Sequence, residues 1–139
     1  MTTMAQGYQT YRSVQTYTSD RVQLVVMLYE AAIRFLHQAD AAIDAHVVDT
    51  AHNGIVRAEQ ILEELQMALD RRQGPVAEQL HSLYTFMLRE LENANSTKDR
   101  QRVQGVCSLL EELLSAWRAV SRQPGSPGPL RAGDGERGA

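Results

Sequence analysis

The chain has 139 residues, of which 43% are hydrophobic and 22% are charged, and its formal net charge is -3 at pH 7. These values are ordinary for one globular domain with one core. The acidic balance, without clustered basic and aromatic residues, argues against nucleic acid as a partner. No apolar run approaches the roughly 18 to 20 residues that span a bilayer, and the N-terminus lacks a secretory signal, so we expect a cytoplasmic protein without membrane insertion.

The first 18 residues have the composition of an arm that docks elsewhere. Their only charged residue is Arg12, yet they contain three of the five tyrosines. Tyr8, Tyr11 and Val14 follow one another at steps of three, which would place them on one side of a short helical turn. We therefore predict an N-terminal arm over residues 1–18.

The first predicted helix runs from Ser19, as its N-cap, to about His46. Its apolar residues form two neighbouring sets with helical spacing, and together they cover more than half of the helix circumference. A surface helix needs only one apolar face. This helix is therefore either central in a bundle or covered by a partner on one side. The two sets are Val25, Leu28, Ala32, Phe35, Ala39 and Ala42, and Val22, Val26, Tyr29, Ile33, Leu36 and Ile43.

Three further helices follow from the apolar spacing and from helix-end signals. The second begins near Asp49 and is broken by Gly74 and Pro75. Pro75 then opens the third helix, which runs to about Asn95. Asp99 is the predicted N-cap of the fourth helix, whose apolar residues alternate steps of three and four.

These elements predict an all-α fold, an antiparallel up-and-down four-helix bundle over residues 19–122, because no segment alternates with period two and the connections are short. Gly54 and Gly105 fall inside helices, and we expect close helix contact at both. Residues 124–139 hold three of the four prolines and five of the nine glycines. We therefore predict a disordered tail over residues 123–139.

The chain contains no recognisable catalytic constellation. Its four histidines lack a second histidine at the spacing that would put two ligands on one helix face, and Cys107 has no second cysteine for a thiolate metal cage. We expect Cys107 to pack in the core and the adjacent pair Glu111 and Glu112 to be solvated helix surface. The sequence therefore predicts no enzyme, no cofactor and no metal site.

Two other classes of protein remain as alternatives. A structural bundle could self-associate through the same surplus of apolar helix surface. A histidine phosphotransfer domain is also a four-helix bundle of similar size, with an exposed helical histidine that is commonly followed by lysine and glycine. In His52-Asn53-Gly54 the glycine comes too early and no lysine is nearby, which disfavours this second alternative.

The segment Met27 to Leu36, with the sequence MLYEAAIRFL, is similar to the first-helix motif of the flagellin export chaperone family FliS. The resemblance covers about residues 5–120. Two positions depart from the family pattern: Asp20 stands where proline is usual, and Ala31 where glycine is usual. Further matches lie at Ala58 to Leu65, Leu69-Asp70, Gly74, Leu80, Leu83-Tyr84, Met87-Leu88-Arg89, Leu91, Ala94-Asn95, Leu109-Leu110, Leu113 and Trp117.

The resemblance implies a cytosolic chaperone that binds the C-terminal segment of flagellin, prevents premature polymerisation and presents its client to the flagellar type III export gate. It also implies that an N-terminal arm covers part of the empty client site and that Tyr8 contacts the export gate. We expect a monomer or a weak homodimer. Five residues off the main helix seams are predicted to line client grooves, with flanking core as the alternative: Ile61, Tyr84, Leu88, Leu109 and Leu114.

Overall fold

The computed structural model describes residues 20–122 and 129–130. The predicted arm and its residues Tyr8, Tyr11 and Val14 lie outside this range, as does the predicted cap Ser19. The described part of the chain forms four long helices and one short 3₁₀ turn. They are α1 (Asp20–Asp44), α2 (Val48–Ala68), the 3₁₀ turn (Arg71–Gln73), α3 (Pro75–Thr97) and α4 (Arg100–Ser121).

Most helices begin or end near the predicted positions, at residues whose local interactions favour a helix end. Pro75 is the first residue of α3, where its missing amide hydrogen costs little. The Asp99 carboxylate accepts hydrogen bonds from the backbone amides of Gln101 and Arg102 at the start of α4. Asp49 lies in the first turn of α2 and not before it, and that helix ends at Ala68, because Leu69 is extended.

The four helices pack as the predicted antiparallel up-and-down bundle. Helix α1 packs most closely, between α2 and α4, and α3 completes the ring with looser contacts to the same two neighbours. This central place accounts for the wide apolar surface of α1. Its buried residues come from both predicted sets: Val22, Val25, Val26, Tyr29, Ala32, Leu36, Ala39 and Ala42.

The two helical glycines differ in their surroundings. A Cβ added at Gly54 would lie 2.8 Å from the carbonyl oxygen of Phe35, so this glycine allows α1 and α2 to approach closely. A Cβ added at Gly105 would meet no atom of the described chain within 4 Å. The prediction of close helix contact is therefore confirmed at Gly54 and wrong at Gly105, which faces open space.

Two residues of the predicted tail are packed against the bundle. Leu130 is buried and forms an isolated antiparallel bridge with Leu69, and the carbonyl oxygen of Pro129 accepts a hydrogen bond of 3.0 Å from the Asp70 amide. The expectation of disorder over 123–139 does not hold at these two residues. The rest of that segment lies outside the described residues.

Candidate functional site

Helix α3 lies between two surface grooves, each of which it shares with one neighbour. On the α2 side, the Gln66 amide donates to the Thr85 hydroxyl at 2.7 Å, and Asn95 and His52 are joined at 3.0 Å. Ile61 lies five residues before Gln66 and Leu88 three residues after Thr85. Leu88 therefore faces α2, whereas Ile61, seven residues after Gly54, lies on the side of α2 that meets α1. We call the furrow beside Gln66, Thr85 and Leu88 the α2–α3 groove.

The α3–α4 groove lies on the other side of α3. It is open and has a volume of about 410 Å³. Its apolar part comes from Phe86, which is 48% exposed, and from Val106 and Leu109 of α4. The remaining lining residues are Glu90, Asp99, Gln101, Arg102 and Gly105.

The rim of the α3–α4 groove is charged, and its α4 side is open at Gly105. The Arg102 guanidinium donates to the Glu90 carboxylate at 2.9 Å, so an ion pair connects the two helices beside the groove. At Gly105 no side chain fills the space between them. An apolar strip with a charged rim and a side-chain-sized gap can accept apolar side chains from a partner while the rim meets its polar groups.

The structure places the five predicted client-groove residues apart from one another. Ile61 is half-buried on the α1 side of α2, Leu88 is half-buried in the α2–α3 groove, and Leu109 is half-buried in the α3–α4 groove. Tyr84 is only 1% exposed and lies in the core between the grooves. Leu114 is 6% exposed and lies under a cleft between α1 and α4, away from α3.

Tyr84 takes part in a buried polar contact. Its hydroxyl lies 2.6 Å from the hydroxyl of Tyr29, and the Tyr29 ring centroid is 6.4 Å from that of Trp117. Burial is the main cause that raises the pKa of Tyr29 to about 12, and burial also raises the pKa of Tyr84. Both hydroxyls therefore stay protonated at neutral pH, and their hydrogen bond is part of the core.

Phe86 is a groove residue that the apolar spacing of the sequence does not identify. It lies on the face of α3 that turns toward α4, outside the buried stripe of that helix. No sequence signal distinguishes Phe86, because single exposed apolar residues are common on protein surfaces, and Leu24, Met27 and Val76 are exposed as well.

A separate cluster of potential ligand groups lies on the other side of the bundle. His37 of α1 meets Cys107 and Glu111 of α4, and one ligand atom from each lies within 4.8 Å of the others. Burial, together with the charges of Glu111 and Asp40, raises the pKa of the Cys107 thiol to about 11. The thiol is therefore protonated at neutral pH when no cation is bound.

No helix in residues 20–122 has the length and apolar character needed to cross a membrane. Residues 4–124 match the family described as "FliS: Flagellar protein FliS". A solved structure described as "Crystal structure of flagellar chaperone from bacteria" matches with a TM-score of 0.67 and 16% identity, over 81% of this chain and 95% of that chain. That likeness shows a shared fold.

Curated relatives agree with the family match. The flagellar secretion chaperone FliS of Campylobacter jejuni is 32% identical over 115 residues, which cover 82% of this chain and 90% of the relative. The flagellar secretion chaperone FliSB of Pseudomonas aeruginosa is 30% identical over 122 residues, covering 87% and 97%. The Bacillus subtilis FliS is 24% identical over 111 residues, covering 80% and 83%. These relatives are chaperones and not enzymes, as expected for this chain, which belongs to the FliS family of flagellar secretion chaperones.

Proposed function

We propose that the protein is a cytoplasmic export chaperone that binds the C-terminal segment of flagellin, prevents premature polymerisation and delivers this client to the flagellar type III export apparatus. Membership of the FliS family supports the class of activity. The observation that carries the binding step is the α3–α4 groove, in which Phe86 and Leu109 leave apolar surface open beside Gly105.

The shape of this groove suits an amphipathic helix. Two helices form its walls, so a client helix could lie along it and insert side chains that recur every three or four residues. The Glu90–Arg102 ion pair at the rim offers charged partners for the polar face of the client. Burying one large apolar client side chain would contribute roughly 1.5–3 kcal/mol.

The α2–α3 groove provides a second contact region on the other side of α3. A client segment that becomes ordered on binding loses conformational entropy, and it needs a long interface to offset that cost. Two grooves around one helix allow such a client to wrap around α3. In this proposal Leu88 contacts one part of the client, and Leu109 with Phe86 contacts another. Ile61, on the α1 side of α2, would contact a client that extends past α2.

Tyr84 and Leu114 have a different place in this proposal. Both are buried, so direct contact with a client would require the core to open. Tyr84 lies beneath the surface between the two grooves and would support their shape.

The arm residues Tyr8, Tyr11 and Val14 are proposed to cover part of the empty client site. Tyr8 is also proposed to contact the export gate, and the chaperone itself to be a monomer or a weak homodimer. Deleting residues 1–15 should then tighten binding of the isolated flagellin segment.

Calorimetric titration of groove variants with a peptide of the flagellin C-terminal segment tests the binding site. Phe86→Asp should weaken binding by about tenfold or more, because it replaces an apolar contact with a charge. Phe86→Leu should retain most of the affinity. The matched control is Leu24→Asp, which introduces the same charge at a position of α1 that is 55% exposed.

Circular dichroism of each variant would verify that the helical content is unchanged. If Phe86→Asp binds like the native protein, or if Leu24→Asp is equally impaired, the α3–α4 groove is not the client site. Loss of binding only in the Phe86→Asp variant supports the proposed placement.

A further inference from the structure

Three side chains with metal-ligating atoms converge in a second cleft between α1 and α4, next to the cleft above Leu114. The Cys107 sulfur lies 3.7 Å from Nε2 of His37, and a carboxylate oxygen of Glu111 completes a set whose atoms all lie within 4.8 Å of one another. The cleft has a volume of about 130 Å³, and Gln104 and Ser108 are among its other lining residues. These residues lie outside the proposed client grooves.

We propose that His37, Cys107 and Glu111 form a binding site for a divalent transition-metal ion of the zinc class. Imidazole nitrogen, thiolate sulfur and carboxylate oxygen are the three ligand types that zinc takes from proteins. Three protein ligands leave a fourth position for water. Such a site holds the ion at the surface of the bundle and connects α1 to α4.

The distance between sulfur and nitrogen agrees with this assignment. Zinc bonds thiolate sulfur at about 2.3 Å and imidazole nitrogen at about 2.0–2.1 Å, so tetrahedral geometry separates those two ligand atoms by about 3.6 Å. The observed 3.7 Å is close to that value. A small rotation of the exposed Glu111 side chain would bring its oxygen into the same shell, because its backbone lies one helical turn from Cys107.

The surroundings of the cluster favour a cation. Asp40 lies three residues after His37 and lines the same cleft, where it accepts hydrogen bonds from Arg100 at 2.8 Å and from Gln104 at 3.3 Å. Asp40 and Glu111 are the two carboxylates that line this cleft, and Glu111 also borders a neighbouring cleft that contains Arg34 and Arg118. Asp40 is held by Arg100 and Gln104, so its role is to set the local charge and not to bind the ion directly.

Metal binding at this cleft would stabilise the native bundle. The ligands come from two helices that meet only when the chain is folded, so the ion binds the native state in preference to the unfolded chain. The cleft lies on the α1–α4 side of the bundle, and the proposed client grooves flank α3. Occupancy should therefore raise the unfolding temperature without blocking either groove.

Titration of the tag-free full chain with Co²⁺, followed by displacement with Zn²⁺, tests the site. We expect a cobalt–thiolate charge-transfer band that saturates at one equivalent and disappears when Zn²⁺ is added. Zn²⁺ alone should raise the unfolding temperature. Cys107→Ser should abolish the band, and His37→Gln and Glu111→Gln should each weaken binding by at least about tenfold, since even residues around the ligands commonly contribute 10- to 100-fold.

Matched controls are Glu112→Gln, which removes the neighbouring carboxylate on α4, and His52→Gln, which removes a histidine at the start of α2. Both should bind Co²⁺ like the native chain. Absence of the band in the native protein, its persistence in Cys107→Ser, or equal weakening in the controls would overturn the proposal. Because Cys107 is buried, the two exposed ligands His37 and Glu111 keep the test decisive if Cys107→Ser is unstable.

Discussion

The hydroxyl groups of Tyr29 on α1 and Tyr84 on α3 lie 2.6 Å apart in the centre of the bundle. This hydrogen bond joins two helices that lie diagonally opposite each other, whereas the most extensive helix contacts are between neighbours. Helix α3 packs less closely than the others and borders both proposed client grooves. The tyrosine pair therefore fixes the position of the helix on which those grooves depend.

The tyrosine pair gives a double-mutant prediction. Tyr84→Phe should lower the free energy of unfolding by about 1–3 kcal/mol, because it leaves the buried Tyr29 hydroxyl without this partner. Changing both residues to Phe removes both polar groups and should recover much of that loss. Urea denaturation of the two single variants and the double variant measures the effect. A double variant as unstable as the sum of the singles would show that the pair is not coupled.

The two helical glycines predict opposite effects of the same substitution. Gly54→Ala should destabilise the protein, because its new methyl group would lie 2.8 Å from the Phe35 carbonyl oxygen, which is backbone and cannot easily move. Gly105→Ala should stabilise it by about 0.5–1 kcal/mol, because alanine has the higher helix propensity and the space is open. Thermal unfolding of the two variants compares them directly, and a destabilised Gly105→Ala variant would contradict the open groove.

The contact between Leu130 and Leu69 predicts that part of the C-terminal segment contributes to stability. Leu130→Asp should lower the free energy of unfolding by roughly 1.5–3 kcal/mol, since it replaces a buried apolar side chain with a charge. Pro129→Ala is the control, because it keeps the carbonyl oxygen that accepts from the Asp70 amide. Urea denaturation would show the difference. Equal stability of Leu130→Asp and the native protein would mean that this contact contributes nothing.

Asp70 predicts a stability contribution that depends on pH. Its carboxylate accepts hydrogen bonds from the Arg72 side chain and the Arg72 amide, which lower its pKa to about 2. The unfolded chain binds this proton with a pKa of about 3.9, so the contribution is present above that pH and is lost as the pH falls toward 2. Asp70→Asn should flatten the decline in this window. Urea midpoints measured at several acidic pH values check it, and an unchanged slope would argue against the role of Asp70.

Local sequence rules were sufficient to predict most of the fold. Pro75 and Asp99 mark helix starts through interactions within a few residues, and the apolar spacing of α1 identified a helix with neighbours on two sides. Leu130 was missed because its partner Leu69 lies far away in sequence, within a segment whose composition resembles a linker. Gly105 was misread because only the distance between α3 and α4 shows whether a glycine faces a neighbour or open space.

The candidate sites were harder to predict for the same reason. Spacing along one helix identified Ile61, Leu88 and Leu109 as residues off the seams, but it could not separate them from the buried Tyr84. The cluster of His37, Cys107 and Glu111 was missed because the histidines were compared only with other histidines, and Cys107 only with a second cysteine. Cys107 and Glu111 lie one turn apart on α4, but His37 comes from α1 at the other end of the sequence.

In the proposed function this chaperone captures the C-terminal segment of flagellin. Isothermal titration calorimetry of the full chain with flagellin from the same organism, with and without that segment, tests it most directly. We predict 1:1 binding to full-length flagellin and none to the truncated form. Equal binding to both forms, or binding to neither, would contradict the claim.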